Sequence, residues 1–169
     1  MMRIFGYLVL LAIIGYGIWP YYTVYQLDKA IVQPSTAPLA ELLDLPAIRA
    51  NYKQRVTAGV KDVLPGNTSD PHGVMTWIGE NLTRLGDAAL DQVITPEWAQ
   101  RTLRDAINEA TKQTPAYLLA AMDFAFFESH NRFLIRIGDL GQGATHIRLS
   151  FIGGKWKITD IITSVTAIN

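Results

Sequence analysis

The chain opens with an unbroken apolar stretch and then settles into short amphipathic segments. Ile4 to Leu27 is a run of 24 residues without a formal charge. As an α-helix it would be about 36 Å long, enough to cross a hydrocarbon layer of about 30 Å. Trp19, Tyr21, Tyr22 and Tyr25 cluster at its far end, where amphipathic rings settle at headgroup level, and Pro20 kinks the helix there or marks where the membrane part stops. Residues 21–32 continue the helix, and Gln33-Pro34-Ser35-Thr36 breaks it. Pro38–Asp44 reads as a short helix. Leu45–Val63 reads as a longer one, with Ile48, Tyr52, Val56, Val60 and Val63 at helical spacing. A third stripe, Val74, Trp77, Ile78, Leu82 and Leu85, predicts a helix over 72–85, followed by a short helix or turn at 87–94. Thr95-Pro96-Glu97 is a helix start, with a hydroxyl cap and proline in the first turn, and that helix runs to about Ala110.

Beyond Ala116 the period falls from 3.6 to 2. Residues 117–128, 132–138, 144–152 and 155–163 read as strands joined by Ser129-His130-Asn131, a Gly-rich loop at 139–143, and Gly153-Gly154. Short connections between consecutive strands make an antiparallel meander. The two-glycine turn sets the register: Ile152 faces Lys155, Phe151 faces Trp156 and Leu149 faces Ile158. Ile147, Leu149, Phe151, Trp156 and Ile158 then share one face, joined by Phe133, Ile135 and Ile137. Helices first and a sheet afterwards predict a two-layer α+β domain, its helices packed on one face of a four-stranded antiparallel sheet. By the same register Asp160 falls on the inward face opposite Ile147. A carboxylate there either bonds backbone donors near the sheet end or lines a pocket between sheet and helices. The outward face carries Arg132, Arg136, His146, Arg148, Lys155 and Lys157, with Phe127, Leu134 and Ile152 among them.

The division expected from this pattern is an anchor over 1–27 and one extracytoplasmic domain over 28–169. The alternative to a retained anchor is a signal peptide, because Gly15 and Gly17 put small residues at the −3 and −1 positions of a cleavage site. Arg3 and the amino group flank one side, while Lys29 on the other is offset by Asp28, Glu41 and Asp44. That balance favours a cytosolic N-terminus, a single pass through the inner (cytoplasmic) membrane, and a domain facing the periplasm or exterior. Formal net charge is zero, which argues against a nucleic-acid partner. The absence of cysteine excludes disulfides, thiolate catalysis and Cys-ligated zinc.

Candidate chemistry is thin. His72, His130 and His146 have no metal-ligand spacing, and no metal or cofactor site is expected. Ser129-His130 and Ser69-Asp70-Pro71-His72 hold triad residue types, but neighbours in sequence do not assemble a nucleophile, base and orienting group. Gly138-Asp139-Leu140-Gly141-Gln142-Gly143 leads into a strand, whereas a phosphate loop should open a helix. No catalytic residue is assigned. The basic outer face is either an ordinary solvated surface or a contact for anionic lipid, an anionic envelope polymer or an acidic protein.

Several segments together, YYTVYQLDKAI, LAELLDLPAIRANYKQRV, ITPEW and GGKWKITDI, resemble the bacterial family called domain of unknown function 2939. Closings of the W-K-I-T-D kind also occur in cystatin-like and NTF2-like sheets. The resemblance implies a bacterial envelope protein with an N-terminal anchor, and no activity. The functional expectation is therefore a non-enzymatic binding or scaffolding module held to membrane lipid by residues 4–27. The alternatives are a small-molecule-binding pocket domain and, last, an enzyme.

Overall fold

A computed structural model describes residues 2–57, 87–112, 117–139 and 143–163. The expected helix over 72–85, the end of the helix expected to reach Val63 and the Ser69–His72 cluster lie outside them.

The first helix, α1, runs unbroken from Met2 to Val32 with Pro20 inside it. Its two halves live in different surroundings. From Ile4 to Ile14 the large apolar side chains are 43–69% exposed. From Tyr16 onward one side turns inward, and Pro20, Thr23, Val24, Leu27, Ala30 and Ile31 are buried. The boundary expected after Leu27 thus falls inside a continuous helix, in the stretch that packs most tightly. Pro20 does not end α1; it sits buried inside the helix, where its missing N–H removes one intrahelical bond.

Next come α2 (Ala37–Leu42) and α3 (Leu45–Thr57). Asp44 caps α3 by accepting from the Ala47 amide at 3.1 Å. Then follow α4 (Asp87–Val93), α5 (Pro96–Thr111) and the single turn α6 (Leu118–Ala121). The Thr95 hydroxyl accepts from the Trp98 amide, as the start signal required. Lys112 closes α5 in the left-handed region at φ 53°, its amide bonding to the Asn108 carbonyl.

The strands are β1 (Met122–Ser129), β2 (Arg132–Ile137), β3 (Thr145–Ile152) and β4 (Lys155–Thr163), in the order β1-β2-β3-β4, every pair antiparallel. The architecture is α+β, as the pattern predicts, and the hairpin register Ile152–Lys155, Phe151–Trp156, Leu149–Ile158 is observed. The inner face (Phe133, Ile135, Ile137, Ile147, Leu149, Trp156, Ile158 and Ile161) is buried against α1, α3 and α5, with Leu27, Ile31, Ile48, Leu103 and Ile107 in the same cluster.

Two positions on the sheet differ from the alternation. A bulge at Thr159 shifts the pairing, so that Ile161 faces Ile147 and Asp160 faces Arg148. Asp160 therefore lies on the other side from the one expected and lines no inner pocket. Thr159 supports the bulge through its hydroxyl, 2.8 Å from Ser150 Oγ and 3.4 Å from the Arg148 carbonyl. In β1, register shifts flank Phe124–Phe127. They bring Phe127 inward opposite Phe133 and turn Phe124 and Phe126 outward, the reverse of the expected placing of Phe127.

The β4 edge is covered. Leu43 bridges to Ile158, Asp44 N–H donates to the Ile158 carbonyl at 2.8 Å, and Asn51 Nδ2 donates to the Thr159 carbonyl at 2.9 Å. On the other side of the molecule α5 holds the end of α1. Gln100 Nε2 donates to the Gln33 carbonyl at 2.9 Å, and Arg104 donates to the Ile31 and Gln33 carbonyls, both at 2.7 Å. Helix C-terminal carbonyls lack intrahelical donors, and a guanidinium also meets the negative end of the helix dipole. The second half of α1 is thus packed into the α+β domain, with no linker between them.

Candidate functional site

The antiparallel meander puts both tight hairpins, Ser129–Arg132 and Ile152–Lys155, at one end of the sheet. That end is the one nearest the exposed half of α1. Tyr16 packs its ring against Phe127, Phe151 and Trp156, and its hydroxyl donates to the His130 carbonyl. Trp19 meets Phe151 edge-on at 5.5 Å and Tyr21 meets Phe133 at 5.0 Å. Of the four residues expected at a membrane interface, Trp19 and Tyr21 are thus half-covered by the sheet. Tyr22 and Tyr25 point away from it, and Lys29 Nζ lies 4.3 Å from the Tyr25 ring centre.

The outer sheet face divides along the strands. Far from the hairpins Arg136 pairs with Asp123 and lies over the Phe124 ring. Toward the middle Arg148 is held by Glu128 at 2.8 Å and by Asp160 at 3.3 Å, and Arg55 from α3 closes on Asp160 at 2.6 Å. Hydrogen bonding to Glu128 pushes the Arg148 pKa further up, against its partial burial. His146 lies beside these guanidiniums. Burial first, then the charges of Arg136 and Arg148, hold its imidazole below the ordinary 6.5. Its charged form is disfavoured there.

Arg132, Lys155 and Lys157 differ. Among the described residues they have no ion-pair partner. Arg132 and Lys157 both flank Ser150 in one cross-strand row, and Lys155 stands opposite Ile152 in the next row toward the turn. At a strand spacing of about 4.8 Å, the backbones of Arg132 and Lys157 lie roughly 10 Å apart. So the structure separates the six residues that the alternating pattern placed together. Arg136 and Arg148 are paired with carboxylates, the charged form of His146 is disfavoured, and three cations remain at the hairpin end. Alternation puts Asp160 on the inner face, and the β4 bulge moves it outward to Arg148, while Asp123 and Glu128 sit at the irregularities of β1.

Residues 9–102 match the family described as protein of unknown function (DUF2939). The chain belongs to that family. The match begins inside α1 and ends within α5; the closing hairpin GGKWKITDI, part of the resemblance seen in the sequence, lies outside it. No curated protein and no solved structure matches the chain. Family membership carries no activity with it, so the chemistry must be read from the surfaces. Among the described residues no group of three or more His, Asp or Glu side chains is placed to hold a metal ion. A cleft of about 310 Å³ opens at the far end of the sheet between α5 and β1–β2, its charged lining being Glu109, Lys112, Asp123 and Asp139. Two of those carboxylates are already committed, Asp123 to Arg136 and Glu109 to Lys112. Between the sheet and the helices Val24, Leu27 and Ile31 of α1 lie in the buried cluster.

Proposed function

We propose that this DUF2939 member is a membrane-held binding or scaffolding module of the bacterial envelope. In this reading α1 crosses the cytoplasmic membrane once, the α+β domain stands on the outer side, and the open sheet face meets a protein partner. The observation that carries it is the division of α1 into an exposed, charge-free half and a half built into the core. One helix of this chain is long and apolar enough to cross a bilayer, and its exposed residues would otherwise present a large apolar surface to water. The same division speaks against removal by a signal peptidase. Cleavage after Gly17 would strip Tyr16 from the ring cluster, and the family match already begins at Val9.

The partner surface is supported by Phe124, Phe126 and Ile152, which stand 36% or more exposed on the outer face beside Leu134 and the ion pairs. Rings set among fixed guanidinium–carboxylate pairs are the composition of a contact surface more than of a solvated one. Two measurements test the reading. After alkaline carbonate extraction the full chain is expected in the membrane pellet, and protease should digest the domain only once the outer envelope is permeabilised. A photoreactive residue in place of Phe126 is expected to yield one discrete adduct in intact cells, lost when Phe124 is changed to Glu. Release of the chain by carbonate refutes the anchor; a Phe126 probe that forms no adduct refutes the partner face.

A further inference from the structure

The bare part of α1, Ile4 to Gly15, is 12 residues long and spans about 18 Å. A hydrocarbon layer is about 30 Å thick. Local thinning of the bilayer takes up part of the difference. The remainder draws the domain toward the lipid, because α1 enters the domain without a linker and cannot slide past it. What meets the headgroups first is the hairpin end of the sheet.

That end is made of Arg132, Lys155 and Lys157, the half-exposed Ile152 and the rim of rings around Tyr16 and Trp19. We propose that it is a contact for anionic lipid headgroups, in which Arg132, Lys155 and Lys157 bind lipid phosphates while Ile152 and the ring rim enter the interface. The charge arrangement fits this ligand in a specific way. The face's three acids, Asp123, Glu128 and Asp160, are all spent on Arg136, Arg148 and Arg55, which sets the positive charge at the end beside the membrane helix. Each Lys or Arg close to an anionic surface strengthens attachment about fivefold, so the three together contribute roughly a hundredfold. The inference rests on the insertion of α1 proposed above and adds the lipid class and the residues that read it.

The chain has no cysteine, so a single Asn131→Cys at the hairpin tip accepts an environment-sensitive fluorophore. The labelled full chain is reconstituted into phosphatidylcholine vesicles, and into vesicles of phosphatidylcholine and phosphatidylglycerol in equal amounts. The expected result is an emission further to the blue in the anionic vesicles than in phosphatidylcholine alone. It should revert in high salt and in the triple variant Arg132→Gln, Lys155→Gln, Lys157→Gln, while Lys112→Gln at the other end leaves it in place. An unchanged melting transition in the triple variant shows that the fold is intact. Equal emission in both lipids, or a shift that survives the triple substitution, overturns the headgroup contact. If the chain nevertheless resists carbonate extraction, the anchor stands and only this contact fails; if carbonate strips it from the vesicles, both fail.

Discussion

The sharpest test of this architecture is to cut α1 at three places. A fragment starting at Tyr16 discards only the bare apolar residues and keeps every buried side chain of the helix. A fragment starting at Ile18 loses Tyr16 and Gly17 as well. A fragment starting at Asp28, where the apolar run ends, also loses Pro20, Val24, Leu27 and Tyr21. Val24 and Leu27 are 1% and 0% exposed, and burial of each such side chain is worth about 1.5–3 kcal/mol. The ring contacts of Tyr16 and Tyr21 with Phe127, Phe151, Trp156 and Phe133 add about 0.5–1.5 kcal/mol each beyond their area. Together the loss is about 5–12 kcal/mol, before any cost of leaving the inner sheet face open to water, against a typical total stability of about 5–15 kcal/mol. Urea denaturation followed by near-UV circular dichroism is the assay. The Tyr16 fragment should unfold cooperatively, the Ile18 fragment at a lower midpoint, and the Asp28 fragment should show no cooperative transition. A fragment beginning at Asp28 with the midpoint of the longest one would refute the claim that α1 is a core element.

Three further outcomes are expected. Asp160→Ala leaves Arg55 and Arg148 without their shared carboxylate, whose side chain is 2% exposed; it should cost about 3–5 kcal/mol in chemical denaturation, and Arg55→Met in the same chain should recover part of that loss. Arg104→Met leaves the Ile31 and Gln33 carbonyls short of a donor and should cost about 1.5–3 kcal/mol, with the rise in amide exchange concentrated at the end of α1 and the start of α2. For His146 the folded pKa lies below 6.5, so between the two values the unfolded chain binds more protons. Stability should then decline as pH drops through 6.5 and stop declining from this source below the folded value; His146→Gln should flatten that part of the stability–pH curve measured by urea midpoints.

The linear order of residues was enough for every element that depends on local chemistry. Thr95-Pro96-Glu97 starts a helix because a hydroxyl cap and a proline in the first turn satisfy that terminus without help from elsewhere. Gly153-Gly154 closes a hairpin because both residues adopt positive φ, and the turn carries its register several pairs along both strands. The apolar run was legible for the same reason, since hydropathy is a sum over neighbours. What the sequence could not disclose was decided by contacts between distant residues. Apolar side chains satisfy lipid and a protein core equally, so the run does not say which of its residues pack into the domain; Phe133, Trp156 and Arg104 decide that. Strand alternation likewise holds only while the ladder is regular. A single extra residue at Thr159 moves Asp160 to the opposite face, where Arg55 and Arg148 neutralise it, and the register shifts in β1 exchange Phe127 for Phe124 and Phe126. The cations left at the hairpin end emerge only after those pairings are subtracted, because charge on a surface is a property of which side chains meet.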